Sequence, residues 1–208
     1  MKADWIAPKR TALLVIDCQV DFGAADGEMA RRGADMAAPL AALEKAQVLV
    51  TAARNAGVAV VFVRLITTPA AESDVIREAR ARWGEDGPDL CVEGTRGADF
   101  TGPQPLPGET IISKNRYSAF SQSGLGEQLH AGGVDTLVLA GLTTECCVAS
   151  SAWDAFERDF HVFIAADACA AYEGDLHGHT LKALAQSGAV VVDTAAFADI
   201  WKTQDKSK

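Results

Sequence analysis

The chain has 208 residues, 49% of them hydrophobic, which suits one α/β domain able to bury roughly 70% of its unfolded surface without a disulfide or metal to hold it. The formal net charge of −9 repels a phosphate backbone, and no lysine or arginine cluster offsets it, so nucleic acid is excluded as a partner. No apolar run approaches the roughly 18 residues of a membrane span, and no opening stretch joins a basic segment to an apolar one, which predicts a soluble, cytoplasmic protein with no membrane partner.

Taken in chain order, apolar runs of strand length alternate with segments of helical period. "TALLVID" (11–17) is a strand, "AAPLAALEKAQVLVTAARNAG" (37–57) a helix closed by Gly57, and "VAVVFVRLI" (58–66) a second strand. The pattern then weakens. One helix, "AESDVIREARARW" (71–83), precedes a Gly- and Pro-rich stretch to Gly108, and a connection this long points to function. Order returns with a strand (109–114), a helix (123–133), a strand (135–141), a helix "TTECCVASSAWDAFERD" (143–159), a strand (161–167), a helix (175–188), a strand (189–193) and a closing helix through Trp201. The tail "TQDKSK" is expected to fray. No repeat or linker divides residues 1–208, which read as a single domain. Six strands alternating with helices predict a three-layer, doubly wound α/β fold with a parallel sheet in the order 3-2-1-4-5-6.

In such sheets ligands bind beyond the carboxyl ends of the strands, where the strand order reverses. The first and fourth strands flank that crevice and end here at Asp17 and at "GLTTECC" (141–147). The first strand runs into "IDCQVDF", without a glycine for a pyrophosphate, and no P-loop occurs, so the nucleotide readings of the fold are set aside. The five cysteines (18, 91, 146, 147 and 169) are odd in number and share no spacing, which argues for reduced thiols and against a disulfide framework or a zinc site.

Cys147 falls in the first turn of the helix after the fourth strand, where free backbone N–H groups can lower a thiol pKa and hold an oxyanion. Either adjacent cysteine can equally be a small buried hydrophobe. Asp17 is a catalytic carboxylate or a capping one. Lys114 in "SKNRYSAF" leaves the third strand towards the same edge, to pair with Asp17 or to stand in solvent.

Three segments together are specific. "LLVIDCQVDF", "ISKNRYSAF" and "AGLTTECCV" resemble the signature segments of the isochorismatase-like cysteine hydrolase superfamily, which includes nicotinamidases, N-carbamoylsarcosine amidases, ureidoacrylate and biuret hydrolases, and isochorismatases. The likeness runs from about Thr11 to Ala196. It implies a catalytic triad of Asp17, Lys114 and Cys147, with the family pattern G-x-x-T-[DEN]-x-C-V falling on Gly141, Thr144, Glu145, Cys147 and Val148. It further implies a cis peptide between Leu142 and Thr143, with the N–H groups of Thr143 and Cys147 forming the oxyanion hole. Phe22 and Tyr117 are expected to line the pocket, Gln19 to bond Asp17 or substrate, and Arg82 and Trp83 to meet a substrate carboxylate and its apolar part. The segment "CVEGTRGADF" (91–100) reads as a lid or subunit contact, with Cys91 structural.

The resemblance departs at one point. Nicotinamidases carry an Asp-x-His and a further histidine after the second strand, whereas no histidine precedes His130 here; no metal and no other cofactor is therefore expected. The pair His177 and His179 lacks a supporting carboxylate cluster. The activity implied is cleavage of a C–N bond in a small amide, carbamoyl or ureido compound through a Cys147 thioester, by a homo-oligomer (dimer or tetramer). The alternatives are a vinyl-ether hydrolase of isochorismatase type and a binding or thiol-sensing module built on Cys146 and Cys147.

Overall fold

In the computed structural model, which describes residues 1–68, 70, 73–82 and 89–204, all six residues of β1 (Thr11–Ile16) are buried. A central strand of a parallel sheet is covered on both faces, which is why it reads as an unbroken apolar run. β2 (Ala59–Leu65), β3 (Thr110–Lys114), β4 (Thr136–Leu142), β5 (His161–Ala170) and β6 (Val190–Val192) complete a six-stranded sheet in the order β3-β2-β1-β4-β5-β6, every pairing parallel. This is the predicted topology.

The helices are α1 (Val20–Gly23), α2 (Glu28–Arg31), α3 (Ala37–Ala56), α4 (Asp74–Arg82), α5 (Leu125–Ala131), α6 (Ala149–Glu157), α7 (Gly174–Gln186) and α8 (Thr194–Gln204). Alternate residues of β1 face opposite layers. Leu13 and Val15 join the core under α3 and α8, while Ala12, Leu14 and Ile16 join the core under α5 and α6. α3 buries Ala42, Leu43, Ala46, Leu49, Val50 and Ala53, a stripe of helical period. Gly57 stops it at φ 75°, with Gly57 N–H donating to Arg54 O and Val58 N–H to Ala53 O, the paired closure that a left-handed residue permits. On the same face Trp201 of α8 is buried and donates Nε1–H to Ile6 O at 3.0 Å, so the N-terminal turn is held against the last helix. No helix among the described residues is long and apolar enough to cross a membrane.

Two expectations need correction, and two short helices carry no sequence signal. The segment 143–159 is not one α-helix: it opens with a π-helical turn (Thr144–Val148) before α6 begins. Between β1 and α3 lie the four-residue α1 and α2, too short to leave a periodicity in the sequence. The last helix continues past Trp201 to Gln204. The outer parts of the predicted helix 71–83, including Ala71, Glu72 and Trp83, and the tail from Asp205 lie outside the described residues.

Gly141 shows how closely β4 approaches β1. It sits opposite Ile16 with φ 131°, and a Cβ there would meet the Ile16 carbonyl oxygen at 1.9 Å. Gly141→Ala combines that overlap with a backbone conformation closed to alanine, and is expected to lower stability by at least about 3 kcal/mol. Urea unfolding monitored by circular dichroism measures this; a loss below about 1 kcal/mol would mean that β4 can move away from β1.

Candidate active site

Asp17 follows β1 directly and is fully buried. Its backbone is left-handed, φ 50°, a conformation that aspartate tolerates better than most residues. Its N–H donates to Val63 O at 2.9 Å and its carbonyl accepts Gln19 N–H at 2.8 Å, so the turn is braced from both sides.

Lys114 is the last residue of β3, and in that edge strand the most polar side chain is the most buried. β2 lies between β3 and β1, which sets the strands of Lys114 and Asp17 roughly 9.5 Å apart. The long lysine stem covers that distance. Its Nζ donates to Asp17 Oδ2 at 2.6 Å and stands 3.4 Å from Cys147 Sγ. Among the described residues, Asp17 Oδ1 is buried without a hydrogen-bond partner. The structure thus brings together Asp17, Lys114 and Cys147 from the ends of three different strands.

The turn carrying Cys147 begins at a cis peptide between Leu142 and Thr143. The Thr143 carbonyl accepts the N–H groups of both Cys146 and Val148, each at 3.2 Å, and the second of these gives the turn its wider π geometry. At the exit, Ser151 Oγ donates to Cys147 O at 2.7 Å and accepts Ala119 N–H at 2.9 Å, tying α6 to the loop after β3. Thr143 Oγ1 donates to Glu145 Oε1 at 2.8 Å.

Cys147 is nearly inaccessible, at 6% exposure. The adjacent Cys146 thiol, burial and the Asp17 carboxylate push its pKa well above that of a free thiol, against the opposing ammonium of Lys114. The sequence predicts that the turn amides lower this pKa; the neighbouring thiol, burial and the Asp17 carboxylate act the other way. Cys146 is shifted down, chiefly by the adjacent Cys147 thiol. Burial works against the charge on Lys114, but Asp17 and the sulfur outweigh it and raise its pKa, so the lysine stays an ammonium. At rest the site holds a carboxylate–ammonium pair beside a protonated thiol.

The other predicted residues stand as follows. Gln19 is buried and its amide is engaged by backbone, with Nε2 donating to Leu65 O (2.8 Å) and Ala98 O (2.9 Å) and Oε1 accepting Leu65 N–H (2.8 Å). Its side chain braces β2 against the 96–98 turn. Phe22 is half-buried and its carbonyl accepts Tyr172 O–H at 2.9 Å. Tyr117 is 53% exposed. Arg82 is exposed on α4 and pairs with Glu78, one turn back on the same helix.

Segment 91–100 packs onto its own chain: buried Asp21 accepts Cys91 N–H at 2.8 Å, Val20 N–H donates to Asp99 O at 2.9 Å, and a Cβ on Gly97 would fall on the Asp21 carboxylate. Cys91 is buried and its pKa is raised by burial. Among the described residues no three His, Cys, Asp or Glu side chains group as metal ligands. Two surface grooves, of about 460 Å³ between α3 and α8 and about 320 Å³ beside Trp5 and Phe160, are lined by none of the three central groups.

Sequence reasoning missed Ser151, which was visible as the residue four positions after Cys147 on the same helical face, and Asp21, whose role depends on a segment 70 residues away.

With the fold and this geometry in hand, comparison with known proteins is decisive. The isochorismatase domain profile matches residues 11–196. The chain belongs to the isochorismatase family. Its relatives include a ureidoacrylate amidohydrolase of Methylobacterium radiotolerans, 30% identical over 204 residues that cover 91% of this chain and 79% of that one. The maleamate amidohydrolase of Pseudomonas putida is 33% identical (81% and 76% covered), and nicotinamidase 3 of Arabidopsis thaliana is 31% identical (89% and 85%). Among solved structures, an isochorismatase family protein from Desulfovibrio vulgaris superposes with a TM-score of 0.79 at 28% identity, covering 92% of this chain and 98% of that one.

Proposed function

We propose that this isochorismatase-family protein hydrolyses a C–N bond in a small amide, carbamoyl or ureido compound, with Cys147 as nucleophile. The observation that carries the reading is the placement of Lys114 Nζ against both Asp17 Oδ2 and Cys147 Sγ, with Asp17 Oδ1 left unpartnered. The names of the three relatives, two amidohydrolases and a nicotinamidase, support it.

In this scheme Asp17 accepts the Cys147 proton as the sulfur attacks the carbonyl carbon, so the resting thiol is activated only when substrate is present. The oxyanion is held by the N–H groups of Thr143 and Cys147. Asp17 then passes the proton to the departing ammonia or amine, leaving an acyl thioester. A water that gives a proton to Asp17 releases the acid and restores the thiol. Lys114 stays an ammonium throughout, holding Asp17 in place and keeping it ionised before attack. A vinyl-ether hydrolysis needs no thiol beside the base, so this arrangement favours the amidase.

The test is ammonia release from a panel of primary amides, carbamoyl and ureido compounds, with Cys147→Ala as control. At least one compound is expected to release ammonia with the native protein and none with the variant. A panel silent with both would turn the reading towards thiol sensing, for which the adjacent Cys146 and Cys147, the former only half-buried, are the favouring feature.

A further inference from the structure

His177 lies on α7, outside every role assigned above, yet it reaches the nucleophile turn. Its Nδ1 and Thr144 Oγ1 are 2.8 Å apart. Thr144 is fully buried and is the first residue of that turn. A buried hydroxyl needs a partner, and His177 is the side chain that supplies it. Burial lowers the His177 pKa against the opposing charge of Glu145, so the ring is neutral near pH 7 and joins Thr144 through a single proton. The turn is then held at two points, Thr144 at its entry by His177 and the Cys147 carbonyl at its exit by Ser151. Cys147 itself carries the exit anchor. The two anchors are contributed by different helices, α7 and α6.

We propose that His177 is a positioning residue for Cys147, fixing the entry of the nucleophile turn through Thr144. The inference rests on the amidase reading for its consequence in turnover. A turn released at one end lets the sulfur drift from Asp17 and from the carbonyl it attacks, and a displacement of about 1 Å is enough to cost about 100-fold in rate. The remote substrate contacts are untouched, so the loss falls on kcat.

Thr144→Val and His177→Leu are each expected to lower kcat about 10- to 100-fold with KM within about twofold. The double variant should be no worse than the weaker single one, since both remove the same contact. His177→Asn, whose amide can occupy the place of Nδ1, should keep kcat within about threefold of native. A second readout needs no substrate: the pH dependence of Cys147 alkylation by iodoacetamide, followed by peptide mass spectrometry. Its midpoint should move equally in Thr144→Val and His177→Leu and stay at the native value in His177→Asn. Additive losses in the double variant, an Asn variant as poor as the Leu variant, or a kcat loss that merely tracks the melting temperature would overturn the proposal. If the native protein turns over no amide, the amidase reading fails by itself, and the alkylation profiles still decide whether His177 positions Cys147. If His177→Leu does not fold, Thr144→Val and His177→Asn decide it.

Discussion

Cys147→Ala is expected to lower kcat/KM by at least about 10⁴-fold, and Cys146→Ala to leave it within about tenfold of the native value. The two thiols are neighbours in sequence but not in environment. Cys147 Sγ stands 3.4 Å from Lys114 Nζ and under the charge of buried Asp17, whereas Cys146 is only half-buried. Both variants keep the volume change small, so equal losses would mean that the assignment between the two sulfurs is wrong. The Cys146→Ala variant carries a further expectation. It removes a neighbouring thiol that helps to raise the Cys147 pKa, so the midpoint of Cys147 alkylation should fall in pH.

The second large effect separates catalysis from stability at the buried ion pair. Lys114→Met leaves the Asp17 carboxylate in the interior with neither oxygen paired, since Oδ1 already lacks a donor. Removing one partner of a buried pair typically costs about 3–5 kcal/mol, and loss of the group that orients the base should lower kcat by about 10²–10⁴-fold. The double variant Asp17→Asn, Lys114→Met carries no buried charge at this site and should regain much of the stability while staying inactive. Recovery of activity along with stability would show that the pair only supports the fold.

The pH dependence has a definite sign. A lysine whose pKa is raised on folding stabilises fully below its unfolded value of about 10.4, and that contribution is lost as the pH climbs through the folded value. Urea midpoints of the native protein should therefore begin to fall above about 8.5, where unfolded thiols ionise and the buried Cys91 and Cys147 do not, and the further drop above about 10.4 should be smaller in the double variant.

Much of the architecture was legible because a doubly covered parallel sheet writes its strands as apolar runs. β1 and β4 are buried at every position, and the sequence shows them as "TALLVI" and "TLVLAGL". The strand ends then delivered Asp17 and the cysteine turn to one crevice, and the resemblance selected Lys114 and chose between the two thiols. What stayed hidden depends on contacts between distant segments. Nothing near Gln19 in the chain shows that its amide will be consumed by the backbone of Leu65 and Ala98. Nothing near Cys147 shows that a carboxylate from β1 will hold the proton on its sulfur. The π-helical turn, too, replaces a predicted first α-turn because the Thr143 carbonyl is shared by two N–H groups, a geometry that residue types alone do not specify.

The long stem of Lys114, reaching over β2 to Asp17, couples chemistry to assembly. Its partners are 97 and 33 residues away along the chain, and contacts so distant form only after costly loop closures. Hydrolytic competence should thus lag helix recovery when the unfolded enzyme is diluted from urea. An early collapsed species would have its helices and still be inert.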